Sequence, residues 1–233
     1  MLKFWNFILF LLFFISSYAQ YDELDDNYRE DQIYFGVFYN SLINSPSNFN
    51  QNKFSSSISL GFIRDIPLNN ERNFGLGLGL GLSTSSYHNN LNISVDDNNL
   101  EYLTIQEADA FNKNKWALNE IEFPFEIRWR TSNPENYKFW RIYFGIKTSY
   151  IFSSKSVYES TAGESSGLIR NEKIRDLPFN KFQTGFTLNA GNNTWNLGLY
   201  LGLQPLFNDD FIKKNQLIKN INQFKVGLVF YIF

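Results

Sequence analysis

One segment of the chain alternates strictly between large apolar residues and glycine. From residue 74 to residue 82, every even position holds Phe or Leu and every odd position holds Gly. Because successive side chains of a β-strand point to opposite faces, this segment has one apolar face and one face without side chains. A helix would mix both residue types on every face. The pattern therefore predicts a strand with two very different sides.

Seven further segments show the same period of two, with an apolar face and a polar or glycine face. They are Ile33–Asn40, Phe54–Ile66, Glu120–Arg130, Trp140–Lys147, Phe182–Asn189, Trp195–Gln204 and Phe224–Ile232. A tilted membrane strand needs about 9–11 residues, and short and long connections alternate along the chain, as in outer-membrane barrels. We therefore predict an all-β fold for residues 32–233, an eight-stranded antiparallel up-and-down transmembrane β-barrel of the outer membrane with its long loops outside the cell.

Residues 1–19 have the features of a cleaved secretory signal peptide. Lys3 provides the positive start, Phe4–Ile15 is almost wholly apolar, and small residues precede the expected cleavage before Gln20. The alternative is a transmembrane anchor, but the apolar run is shorter than the roughly 20 residues that a spanning helix needs. The chain contains no Cys, so we expect no lipoprotein-type lipid attachment.

Residues 20–31 form an acidic segment that we predict to be a periplasmic leader. Its candidates for a periplasmic contact are Asp22, Glu23, Asp25 and Asp26. Such a run can bind calcium or dock to a partner, although a solvated leader without structure is the commoner outcome.

The interior of the barrel is predicted to be the polar and glycine side of the strands. A soluble lipocalin-like barrel would turn the apolar side inward, but eight strands enclose a space only just wide enough for side chains. Rows of Phe and Leu would overfill that space. The charged residues predicted for the lumen are Glu120, Glu122, Glu126, Arg128, Arg130, Arg141 and Lys147. Since buried charges must be paired, we interpret them as a salt-bridged plug, with a narrow proton or ion path as the alternative.

Three tryptophans flank the predicted short turns. We expect Trp129, Trp140 and Trp195 to form an interfacial aromatic girdle at one rim, the alternative being ordinary surface or core aromatics. Pro124 lies inside a predicted strand, where it cannot donate a ladder hydrogen bond, so we expect a local β-bulge there.

Composition and motifs argue against catalysis and metal binding. With no Cys, one His and a net charge of −2, the chain lacks thiolates, a multi-histidine metal site and the basic balance of a nucleic-acid binder. The glycine run does not open a helix as a phosphate loop does. His88 has no visible triad partners, and Asp96, Asp97 and Glu101 do not match a calcium loop. We predict no catalytic, cofactor-binding or metal-binding residue, and neither nucleic acid nor a small-molecule substrate as partner.

Several blocks of the mature chain are similar to one protein family. They are Arg64–Pro67, Arg72–Asn73, Phe123–Thr131, Lys138–Tyr143, Trp195–Asn196 and Leu203–Phe207. The Arg-Trp-Arg and Phe-Trp-Arg-Ile-Tyr stretches are the more specific parts, whereas Gly–Leu alternation occurs in many barrels. Together the blocks resemble the PorT family of Bacteroidota over nearly all of the mature chain.

The resemblance implies an outer-membrane component of the type IX (Por) secretion system, which exports cargo such as secreted proteases and gliding adhesins. It implies a non-enzymatic subunit that the export machinery requires for assembly or operation. The expected partners are outer-membrane lipid and other type IX secretion components, which would meet the periplasmic turns and the leader. The alternatives are a generic barrel for envelope anchoring or adhesion, a lipid-modifying enzyme that uses His88, and a narrow channel.

Overall fold

The computed structural model describes residues 31–51, 53–96, 99–104, 111–131, 140–160, 171–214 and 220–232. The expected signal peptide, the leader up to residue 30 and the short turn predicted at 132–137 lie outside these ranges. The elements are β1 (Gln32–Ile43), β2 (Ser56–Pro67), β3 (Phe74–His88), β4 (Leu91–Asp96), β5 (Asn99–Thr104), β6 (Phe111–Arg130), β7 (Trp140–Ser160), β8 (Asn171–Arg175), β9 (Phe182–Asn192), β10 (Trp195–Gly202), α1 (Asp209–Lys214) and β11 (Asn222–Ile232).

Eight of these strands form a closed wall. Each wall strand is antiparallel to the next along the chain, in the order β1, β2, β3, β6, β7, β9, β10 and β11. The antiparallel pairing of β1 with β11, in which Ile33 lies opposite Ile232, closes the circle. The predicted eight-stranded up-and-down barrel is confirmed, and each segment with a period of two corresponds to one wall strand.

The two faces of the wall are divided as the alternation indicates. Apolar side chains point outward, and on β3 Leu80 and Leu82 are 56% and 59% exposed. The glycines of β3 face the lumen, where side-chain or backbone atoms of other strands lie in the space that a Cβ would take. The barrel is therefore apolar on the outside and polar within, the arrangement that suits lipid and not the lipocalin alternative.

Three wall strands continue well past the ends that the sequence predicted. β3 runs to His88, β6 begins at Phe111 and β7 runs to Ser160. The regions predicted as long loops also contain the β4–β5 hairpin, β8 and α1. The period of two did not reveal the extensions of β3 and β6 because their outward positions are mostly polar, as at Lys115. Among the described residues, no helix is long and apolar enough to cross a membrane.

The prediction of a β-bulge at Pro124 was wrong. Pro124 keeps the regular register of the β6–β7 ladder opposite Lys147, and the nearest register shift lies four residues earlier in β6, where Phe152 of β7 is the unmatched residue. On the β3 side, a Cβ at Gly79 would come within 2.8 Å of the Pro124 ring. Because glycine leaves room for the ring, the β3–β6 ladder skips this position and resumes in the same register.

Apolar side chains close the barrel at the end that carries the long loops. Trp116 of β6 is fully buried, with its ring 5.4 Å from that of Phe207 and 5.7 Å from that of Phe179. This mouth cluster comprises Leu42, Tyr87, Leu91, Ile93, Trp116, Leu118, Ile151, Leu177, Phe179, Leu206, Phe207, Phe211, Ile212 and Ile221. Sequence periodicity did not predict the cluster, because many of its members lie between the wall strands.

Candidate functional site

The seven charged residues predicted for the lumen are all buried inside the barrel, each with an exposed fraction of at most 8%. Two further buried charges, Asp65 of β2 and Lys225 of β11, join them. Both lie on the polar face of a predicted strand, so the alternation could have placed them. Lys225 was missed because it is the single charge on its strand, and Asp65 was missed because it directly follows Arg64 in a weakly alternating segment. Among the described residues, the lumen thus holds four carboxylates and five cations.

Asp65 is the centre of a lower layer at the short-turn end of the lumen. Its Oδ1 lies 3.0 Å from Arg128 Nη1, and its Oδ2 lies 2.8 Å from Arg130 Nη2. Arg128 Nε also donates to Glu126 Oε2 at 3.0 Å. A Cβ at Gly77 would be 2.6 Å from Arg128 Nε, so glycine on β3 provides the space that this guanidinium occupies.

Two tyrosine rings lie against the cations of the lower layer. The Tyr143 and Tyr231 ring centroids are 5.4 Å apart at an interplanar angle of 73°. The guanidinium carbon of Arg128 is 4.4 Å from the Tyr143 centroid, and that of Arg141 is 5.7 Å from the Tyr231 centroid. Since the faces of aromatic rings attract cations, the tyrosines help to accommodate arginines that outnumber the carboxylates of this layer.

A middle layer joins β6, β7 and β1. Lys147 Nζ lies 2.8 Å from Glu122 Oε1, and Tyr34 Oη donates to Glu122 Oε2 at 3.2 Å. Lys147 Nζ is also 5.0 Å from the centre of the Tyr200 ring. The Tyr34 ring fits because Gly61 has no Cβ, which would come within 2.5 Å of Tyr34 Cε1.

An upper layer surrounds Glu120, next to the mouth cluster. Glu120 Oε2 accepts hydrogen bonds from Ser83 Oγ at 3.3 Å and Ser85 Oγ at 3.4 Å, and Lys225 Nζ lies 3.4 Å away. Lys225 Nζ also donates to Ser85 Oγ at 3.1 Å. The mouth cluster begins just above with Tyr87, two residues further along β3.

The three layers follow one another along the lumen face of β6, so they fill the barrel in series. A cavity of about 40 Å³ lies between the lower and middle layers, lined in part by Glu122, Glu126 and Thr187. It has room for a few water molecules. Each of the four buried carboxylates is paired with a lysine or arginine, which meets the requirement for keeping charges in a protein interior. This arrangement is suited to filling space.

The three predicted girdle tryptophans lie together at the short-turn rim. Trp129 is the last residue but one of β6, Trp140 begins β7 and Trp195 begins β10. They are 44%, 63% and 63% exposed. Asn192 is the register partner of both Trp140 and Trp195. Their placement in the interface of a membrane stays a prediction.

A second aromatic rim, which sequence reasoning missed, lies towards the long loops. Tyr150 and Phe182 are ring neighbours at 5.1 Å, and Tyr39 and Phe54 at 5.5 Å. Phe152 is 53% exposed close by on β7. Along β7, Tyr150 and Phe152 lie 10 and 12 residues beyond Trp140, which for a tilted strand gives a band roughly 25–30 Å tall. That height matches the hydrocarbon thickness of a bilayer.

The other residues weighed for chemistry are not assembled into a site. Ser83 and Ser85 face the lumen, whereas His88 lies two residues beyond Ser86 on the outward side, directly opposite Lys115 and not a carboxylate. Asp97 lies outside the described residues, as do the side chains of Asp96 and Glu101. Within the described part of the chain, no three His, Asp or Glu residues are grouped to hold a metal ion.

Comparisons with known proteins concern the barrel as a whole. Residues 18–208 match the family described as "Outer membrane protein beta-barrel domain". Two solved structures of Ail, the attachment invasion locus protein of Yersinia pestis, also align, one of them in complex with the heparin analogue sucrose octasulfate. They are 10% and 9% identical with TM-scores of 0.35 and 0.33, and each alignment covers 87% of this chain and 97% of Ail. No curated protein matches the chain significantly.

Proposed function

Because the chain belongs to the family of outer membrane protein β-barrel domains, we propose that it is a non-enzymatic barrel that works through contacts of its rims and outer wall. In this proposal the lumen conducts nothing. The barrel is held in the outer membrane. Partners bind to its loops on one side and to its turns and leader on the other. Its role is thus envelope anchoring or adhesion.

The observation that supports this proposal is the double closure of the lumen. Three layers of paired charges fill the wall region, and the mouth cluster around Trp116 covers the end with the long loops. Opening a path would require breaking buried ion pairs, each unfavourable by about 3–5 kcal/mol when one partner is lost. Moving a loop alone would not open it.

Planar-bilayer recording of the purified mature protein tests the closed lumen. We expect no steady conductance above that of protein-free bilayers. The variant E122A/K147A removes the ion pair of the middle layer without changing the net charge. We expect it to raise conductance only in combination with Trp116→Ala, which truncates the mouth cluster. Steady, ion-selective conductance of the unaltered protein would overturn the proposal.

A second candidate function is that of a type IX secretion subunit, as the resemblance to the PorT family implies. One observation favours it: residues of two separate resembling blocks, Asp65 in one and Arg128 with Arg130 in the other, meet in a single ion-paired unit at the short-turn end. Two blocks that are distant in the chain thus build one feature next to the periplasmic turns. A secretion partner in the periplasm would meet the barrel at that end.

Deletion in the producing organism separates the two candidates. A secretion subunit predicts that proteins with C-terminal sorting domains disappear from the culture medium and accumulate in the periplasm, as measured by mass spectrometry. An anchoring or adhesion barrel predicts unchanged secretion with altered attachment of cells to surfaces. If secretion is lost, charge reversal of Asp22, Glu23, Asp25 and Asp26 in the restored gene tests whether the leader is the contact. Unchanged secretion would exclude it.

A further inference from the structure

A cleft in the outer part of the barrel wall lies where β8 gives way to β9 as the neighbour of β7. Its volume is about 430 Å³, and its lining includes Phe152 and Ser153 of β7 and residues 176–181. The ladder of β7 pairs with β8 only down to Lys155 and with β9 only up to Tyr150, which leaves the positions between them without a strand partner on this side.

Two hydrogen bonds fix the ends of this opening. Asp176 N donates to Ser154 O at 3.0 Å on one side, and Ile151 N donates to Lys181 O at 2.7 Å on the other. Between them the chain bows away from β7, because Leu177 and Phe179 turn inward to the mouth cluster. Asp176 has a φ of 54°, the left-handed conformation that begins this detour. The cleft is therefore a fixed consequence of how the mouth is sealed.

Three cations lie close to the cleft, and one of them, Lys181, belongs to its lining. Lys155 and Arg175 are exposed cross-strand partners at one end, and Lys181 is exposed at the other. Asp176 is the carboxylate among the lining residues. These four side chains carry a net charge of +2, which favours an anionic occupant. Lysine and arginine bind phosphate oxygens through charge-assisted hydrogen bonds.

The cleft lies immediately beyond the aromatic rim at the long-loop end. Phe182, whose ring neighbours Tyr150, is 62% exposed just below it, and Phe152 is 53% exposed at its floor. Aromatic rims mark the level at which hydrocarbon gives way to headgroups. The position therefore presents apolar rings to acyl chains and cations to the layer directly above.

We propose that this cleft binds the phosphorylated headgroup of a glycolipid in the leaflet on the long-loop side, with Lys155, Arg175 and Lys181 contacting phosphate and Phe152 contacting the lipid chains. The site is distinct from the sealed lumen and does not depend on whether the barrel serves anchoring or secretion. It requires only that the barrel spans the outer membrane.

Native mass spectrometry of the mature protein in detergent tests the proposal by titration with bis-phosphorylated lipid A and with its dephosphorylated form. We expect the phosphorylated lipid to bind at least tenfold more tightly. Neutralising one cation, as in Lys181→Gln, should weaken binding roughly fivefold, and K155Q/R175Q/K181Q should abolish the preference for phosphate. Asp176→Asn removes the opposing carboxylate and should tighten binding severalfold, an effect in the opposite direction that no folding defect would mimic.

The matched control is Lys213→Gln, which removes the same charge from an exposed lysine of α1 that, unlike Lys155 and Arg175, is not next to a lining residue in the chain, and it should leave binding unchanged. Because the substituted side chains are exposed, the heat-modifiable gel mobility of the folded barrel should be preserved. Equal binding by the triple variant and the unaltered protein would overturn the proposal. Full competition by millimolar inorganic phosphate would also overturn it, since the site would then recognise free phosphate and not a lipid.

Discussion

Asp65 of β2 and Arg128 of β6, 63 positions apart in the chain, join across the lumen with Oδ1 and Nη1 at 3.0 Å. In the wall, β3 lies between these two strands. The contact passes over β3 because Gly77 has no side chain to obstruct Arg128. The ion pair therefore depends on the glycine row, because the glycines of β3 leave the space that side chains of the neighbouring strands fill.

We expect Asp65→Asn to destabilise the barrel strongly, because two buried arginines would lose their shared carboxylate. Breaking a buried pair lowers the free energy of unfolding by about 3–5 kcal/mol. Urea unfolding in lipid vesicles, followed by tryptophan fluorescence, measures the change. Glu71→Gln is the control, since Glu71 is exposed in the β2–β3 turn. A loss below about 1 kcal/mol would mean that Asp65 contributes no more than a surface pair.

Gly81→Ala should destabilise the barrel by about 1–3 kcal/mol through overpacking. The new Cβ would overlap the Tyr34 hydroxyl and lie 2.9 Å from Leu60 O. Gly202→Ala, whose nearest contact would be 3.1 Å, should have the smaller effect. The same unfolding measurement in a Tyr34→Leu background should show a reduced penalty for Gly81→Ala. An unchanged penalty there would show that Tyr34 is not what the glycine accommodates.

Lys147→Met should lower the free energy of unfolding by about 3–5 kcal/mol, because Glu122 would stay buried without its cation. The double variant E122Q/K147M should be more stable than Lys147→Met alone, since no charge is then left unpaired. Lys113→Met is the control, because its partner Glu159 and Lys113 itself are about one-third exposed. A double variant no more stable than the single one would contradict the pairing of Glu122 with Lys147.

The aromatic girdle predicts where tryptophan fluorescence is quenched in membranes. In variants that keep one tryptophan each, Trp129, Trp140 and Trp195 should be quenched most by lipids brominated near the headgroup, because all three are exposed at one rim. Trp116 is the internal control, since it is buried in the mouth cluster and should be quenched little by any lipid. Strongest quenching of the three by bromine at the bilayer centre would contradict the girdle.

The alternation of residues was enough to predict the eight wall strands and which side of each faces the lumen. A period of two is a local property, so it can be read at Phe74–Leu82 without knowing which strands are neighbours. The seven predicted lumen charges follow from the same parity. Their partners do not, because the meeting of Lys147 with Glu122 or of Lys225 with Glu120 depends on the register and closure of the whole wall.

Features that depend on packing between distant segments could not be predicted from the sequence. The mouth cluster draws Leu91 and Phe207 from separate connections that have no common period. Pro124 was expected to distort its strand because a proline lacks a backbone donor, but the cross-strand Gly79 accommodates the ring. In both cases the deciding neighbour is far away in the chain and close only after the barrel has closed.

One closure of the lumen consists of ion pairs and the other of apolar contacts. A change that weakens one closure therefore need not weaken the other. Replacing a lumen carboxylate, as in Asp65→Asn, weakens the ion-paired layers yet leaves the contacts of Trp116 and Phe207 intact. Cooling weakens apolar association but leaves the salt bridges of Asp65 and Glu122 in place. We therefore expect the lumen to stay closed when either closure alone is weakened.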